Sequence, residues 1–138
     1  MPNRTLDLSF VALLPPAPVG CSDAQQRADS SSNLKELARA VLKYEADNQA
    51  WPATLGDLQP VVGTSDDLGT IGGGKDYAAL VKNPLTGDNP GYEYVKPAET
   101  PESFANTIIL YQLRGGNRDE SLPVGFLDGS VRPATDLQ

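Results

Sequence analysis

Apolar residues in this chain change their spacing near residue 50, from the three- and four-residue steps of a helix to the short alternating runs of strands. Ser22 to about Asn48 contains no proline or glycine, and Ala24, Ala28, Ser31, Leu34, Leu37, Ala38, Val41 and Leu42 fall on one helical face. Gln25, Gln26, Arg27, Asp29, Lys35, Glu36, Arg39, Lys43 and Asp47 fill the other, as an exposed face requires. The pattern predicts a helix over about 22–48 with its apolar stripe on a core. Ser22 with Gln25 offers a capped start, and Asn33 with Glu36 offers a second if the serines 30–32 fray. Asn48 and then Trp51-Pro52 close the helix, because a residue preceding proline avoids helical angles.

Beyond it, Thr54 with Asp57 predicts a short capped turn of helix through Leu58, and residues 61–75 read as loop within a wider loop region, 52–90. Three runs then read as strands: Gly91 to Lys96 with Tyr92 and Tyr94 on one face, Thr107 to Leu113, and Leu122 to Leu127. Asp128-Gly129 after the last run predicts a two-residue type I′ hairpin turn, with Ser130 to Arg132 returning until Pro133. The fold expected is α+β: one long N-terminal helix on a small antiparallel sheet of three to four strands, spanning 91–133.

Composition narrows this picture. A chain of 138 residues makes one domain, and its 12 prolines and 13 glycines lie mainly after residue 50, where short strands and loops are expected. The net charge of −7, with basic residues dispersed, argues against nucleic-acid binding. Arg114 to Arg118, around Gly115 and Gly116, reads as a solvated turn. Histidine is absent, which removes the commonest general base and neutral metal ligand, so an enzyme is not expected. Gly69 to Lys75 matches the spacing of a phosphate-binding loop. Its context does not: Asp76 stands where a Ser or Thr should follow the lysine, and Ser65, Asp66 and Asp67 replace the buried strand that should precede it. No nucleotide is expected.

Residues 1–21 read as a degenerate leader or membrane-anchor remnant. The apolar stretch from Leu6 to Leu14 is interrupted by Asp7 and Ser9 and stopped by Pro15, Pro16 and Pro18, short of the roughly 20 residues a spanning helix needs. Pro18-Val19-Gly20-Cys21 resembles the end of a bacterial lipoprotein signal, which implies lipid on Cys21, the single cysteine. With one cysteine, no internal disulfide forms.

Ser31-Ser32-Asn33-Leu34-Lys35-Glu36-Leu37, then Tyr44 and Trp51-Pro52, resembles the helix of a large bacterial family of pilin-like proteins related to type II secretion pseudopilins. Phe126-Leu127-Asp128-Gly129-Ser130-Val131-Arg132 resembles that family's closing hairpin, and Asn83-Pro84-Leu85-Thr86-Gly87 with Tyr92 and Tyr94 looks like its loop-to-strand region. The resemblance implies a non-enzymatic protein of the bacterial cell envelope, at the inner membrane and periplasm or the surface, structural or secretion-associated. Its partners would be copies of itself or sibling subunits, joined through a helix face of Ala24, Ala28, Leu34, Leu37, Ala38, Val41 and Leu42. Because some pseudopilins bind calcium near their C-terminal strands, it also points to Asp119, Glu120 and Asp128 as calcium ligands; no other cofactor is expected. A lipid-anchored periplasmic or surface binding module, tethered through Cys21, is the alternative.

Overall fold

The computed structural model describes residues 19–136, with side chains from Asp23 onward. Of the leader expected over residues 1–21, residues 1–18 lie outside the described residues, and Val19 to Cys21 are the start of a helix. The first element, α1 (Val19–Asn48), runs 30 residues and starts three residues before the expected Ser22. It passes unbroken through Ser30, Ser31 and Ser32, so the second start at Asn33 is not used. Serine weakens helices when its hydroxyl competes for backbone groups. Here the Ser30 hydroxyl is engaged by the sheet, at 2.9 Å from the Tyr92 hydroxyl and 2.7 Å from Gln112 Oε1. At the far end Gln49 takes the left-handed conformation (φ 58°) and donates to the Glu45 carbonyl, closing the helix.

The region expected to be loop is built of small anchored pieces. A 3₁₀ turn at Leu55–Leu58 is held by the Asp57 carboxylate, which accepts from the N–H groups of Ala53 and Thr54, as the Thr54/Asp57 spacing implied. A hairpin follows, β1 (Ser65–Asp66) with β2 (Gly69–Thr70), where only loop was expected. Its exposed strands have no apolar alternation to read. They persist because Arg39 on α1 donates to Asp66 Oδ1 and to the Gly69 carbonyl. Then comes one turn of helix, α2 (Tyr77–Leu80), capped by the Asp76 side chain. Each piece sends one fully buried side chain inward: Leu58, Ile71 and Leu80.

The sheet has five antiparallel strands: β3 (Tyr92–Tyr94), β4 (Ile108–Arg114), β5 (Asn117–Arg118), β6 (Val124–Phe126) and β7 (Val131–Arg132). The order is β3-β4-β6-β7, with β5 pairing the end of β4, one strand more than expected. A bulge in β4 places Ile108 opposite Phe126 and Leu110 opposite Gly125, leaving Ile109 as the extra residue. That local kink lets two consecutive side chains, Ile109 and Leu110, enter the same core. Leu34, Leu37, Ala38, Ala40 and Val41 of α1 meet them there, all fully buried. Burying each leucine contributes about 1.5–3 kcal/mol.

The two hairpin turns exchange roles relative to expectation. Arg114 pairs with Asn117 across Gly115 (φ 63°) and Gly116 (φ 83°), so the two-residue loop with positive φ at both positions lies here. The Asp88 carboxylate accepts from both glycine N–H groups and fixes the turn. At Asp128-Gly129 only the glycine has positive φ (91°), Gly129 donates to the Phe126 carbonyl and Phe126 donates to Ser130. The loop is therefore three residues, Leu127 to Gly129, in place of the expected two. Leu127 is fully buried and donates to the Thr107 carbonyl, and Asp128 Oδ1 accepts from the Ser130 N–H; both contacts favour the longer loop.

Candidate functional site

The junction of α1 with the sheet carries a polar network inside an otherwise apolar contact. Ser30, Asn33, Asn83 and Gln112 are the buried polar residues among the described ones, each 2% exposed or less. Gln112 Oε1 accepts from Ser30 and, at 3.1 Å, from Asn83 Nδ2, while Gln112 Nε2 donates to the Pro123 carbonyl at 3.0 Å. Asn83 Oδ1 accepts from the N–H groups of Leu85 and Thr86, and this wraps the 83–91 loop around its own side chain. Asn33 Nδ2 donates to the Lys82 carbonyl at 3.2 Å and to the Tyr92 hydroxyl at 3.4 Å, and its Oδ1 accepts from Lys75 Nζ at 2.7 Å. Helix, sheet and loop are thus joined by groups that would each be costly to leave unpaired.

The tyrosines of this junction are poor proton donors. Burial raises the Tyr92 phenol above its usual range, partly offset by hydrogen bonds with Ser30 and Asn33. Burial, and then the charge of Asp57, raise Tyr94 further; its hydroxyl donates to the Pro52 carbonyl at 2.8 Å. Both serve to brace the fold at neutral pH.

The expected helix face divides in two. Leu34, Leu37, Ala38 and Val41 are fully buried against the chain's own sheet, and Leu42 is partly buried beside them. Ala24 and Ala28 are exposed, as are Gln25, Gln26 and Arg27 between them. Arg27 pairs with Asp23 at 2.8 Å and Gln25 donates to Asp29 at 2.9 Å, so this arm carries its own helical supports. Cys21 falls within the first turn of α1, and its side chain lies outside the described residues. No helix among the described residues is long and apolar enough to cross a membrane.

Asp119, Glu120 and Asp128 are not gathered into a calcium site, and among the described residues no cluster of three such groups could hold a metal. Asp119 is occupied by Ser121 and Arg114. Hydrogen bonds from the Ser121 hydroxyl, Arg114 and the Ser121 N–H hold its carboxyl at about 2. Asp128 is raised by partial burial, but the hydroxyl and N–H of Ser130 outweigh that and keep it below the usual range. A carboxylate closed into its own turn has few lone pairs left, whereas calcium needs about six to eight converging oxygens.

Sequence reasoning missed the network. The run Ser30 to Asn33 in mid-helix was the available signal: polar residues in phase with a buried stripe need partners, and Gln112 inside an apolar strand is another. Comparison of the chain with family models, curated proteins and solved structures returns no match.

Proposed function

We propose that this chain is a non-enzymatic, pilin-like component of the bacterial cell envelope, structural or secretion-associated, in which the first turns of α1 join it to further copies or to sibling subunits. One observation carries the reading: α1 spans about 45 Å at 1.5 Å per residue, but its clamp to the sheet begins only at Ser30. The stretch 24–28 stands exposed and keeps its helical form through its own side-chain pairs. An arm already ordered pays little entropy when a second helix docks against it. The helix motif from Ser31 to Leu37 and the closing motif from Phe126 to Arg132 support the same reading.

Cysteine cross-linking in the full chain tests it. In a Cys21→Ser background, Ala24→Cys or Ala28→Cys is expected to give disulfide-linked pairs in cells, and Thr135→Cys, far along the chain, is not. Linkage at none of these positions, or equally at all three, would remove the assembly reading. The location is tested separately by fractionation, where recovery of the protein only in the cytoplasm would remove the envelope assignment.

A further inference from the structure

Half of the described basic side chains are matched to carboxylates: Arg27 to Asp23, Arg39 to Glu36 and Asp66, Lys43 to Asp47, Arg114 to Asp119 and Arg118 to Glu93. Lys75 is held differently. Its ammonium donates to the Asn33 amide oxygen at 2.7 Å, a neutral partner that orients the charge without cancelling it. The amide is itself 2% exposed and fixed by the Lys82 carbonyl and the Tyr92 hydroxyl. An ammonium has three donors, so two remain after this bond.

Those donors border a cleft of about 360 Å³ whose lining includes Asn33, Lys75, Ala79, Lys82 and Pro84 and no carboxylate. Lys82 lines the same cleft, and its ammonium has no side-chain partner among the described residues. In a chain of net charge −7, two uncancelled cations and an apolar wall share one recess. The geometry points to an oxyanion-binding cleft, taking the carboxylate or phosphate group of a small ligand between Lys75 and Lys82, with Ala79 and Pro84 against its apolar part.

This grip is made by side chains. The preceding glycine loop is not a phosphate cradle, since Gly72 N–H is spent on Glu36, Gly73 N–H on the Thr70 carbonyl and Lys75 N–H on the Gly72 carbonyl. Lys75 nevertheless emerges from that loop as the residue aimed at the anion, so the motif contributes its lysine and not its backbone.

Titration of the ¹⁵N-labelled full chain with inorganic phosphate, and separately with succinate, at constant ionic strength set by sodium chloride, tests the cleft. Saturable amide shifts are expected at Ala79, Lys82 and Gly87, with phosphate alone responding if the site takes phosphoryl groups and succinate alone if it takes carboxylates. Lys82→Gln, whose ammonium holds nothing else in place, is expected to weaken binding about tenfold or more, the value of one charge-assisted hydrogen bond. Lys96→Gln should leave it unchanged. Shifts that never saturate with either anion, or a Lys82→Gln protein that keeps its fold and binds as well as the parent, would overturn the proposal.

Discussion

Two halves of one helix meet opposite fates. From Ser30 to Val41, α1 is pressed onto the sheet, with four fully buried apolar side chains on its predicted face and two buried polar ones bonded across the junction. From Asp23 to Asp29 the same periodicity continues through Ala24 and Ala28, yet these side chains face solvent. The sequence pattern states which way a helix faces. It does not state how far the opposing surface reaches, and here, among the described residues, the hydrogen bonds of the sheet to α1 begin with those of Tyr92 and Gln112 on Ser30.

The contrast can be broken most forcefully in the clamped half. Leu34→Ala removes a fully buried side chain that faces Gly125 across the junction and should cost about 2–5 kcal/mol, read as a shift in the urea midpoint. A loss below about 1 kcal/mol would show that the clamp is looser than the packing implies. Gln112→Leu keeps the volume but deprives Ser30, Asn83 and the Pro123 carbonyl of a partner, for an expected loss of about 1–3 kcal/mol by the same measurement.

On the exposed arm, Ala28→Glu should move the stability of the isolated chain by no more than about 0.5 kcal/mol, while abolishing cross-linking through Ala24→Cys. A large loss of stability there would erase the distinction between the halves. The smallest effect is expected on the sheet side, at the partly exposed carboxylate of Asp119. Its folded carboxyl, at about 2, lies below the ordinary 3.8, so its contribution is present above about pH 4 and is lost as pH falls through 2. Asp119→Asn should flatten the dependence of stability on pH between 4 and 2, seen in thermal melts; an unchanged slope would contradict the Ser121 and Arg114 contacts.

The expectations that held rest on signals with a strong local cause. The long helix follows from an uninterrupted periodic run, and the strands from β-branched and aromatic residues between turns. Misreadings arose where a distant group decided. The hairpin of Ser65 to Thr70 turns on the Asp66 carboxylate, which accepts from Leu68 N–H, and is anchored by Arg39, some 27 residues away, while its strands carry no apolar alternation to announce it. Gly115-Gly116 read only as a solvated turn because the carboxylate that shapes it, Asp88, comes from another loop. For the buried amides the sequence marks the positions, Asn33 in phase with the apolar stripe and Gln112 within an apolar strand, but their partners Tyr92 and Asn83 are brought to them only by the sheet and a distant loop.

The short outer strands of the sheet also guard against unwanted association. A free strand edge invites pairing with another chain, and long flat apolar edges template aggregates. Here one rim is β3, three residues with Glu93 at its centre tied to Arg118 at 2.8 Å, and the other is β7, two residues ended by Pro133. Neither rim offers a ladder long enough to recruit a stray strand. Crowding alone therefore gives these sheets little opportunity to join edge to edge.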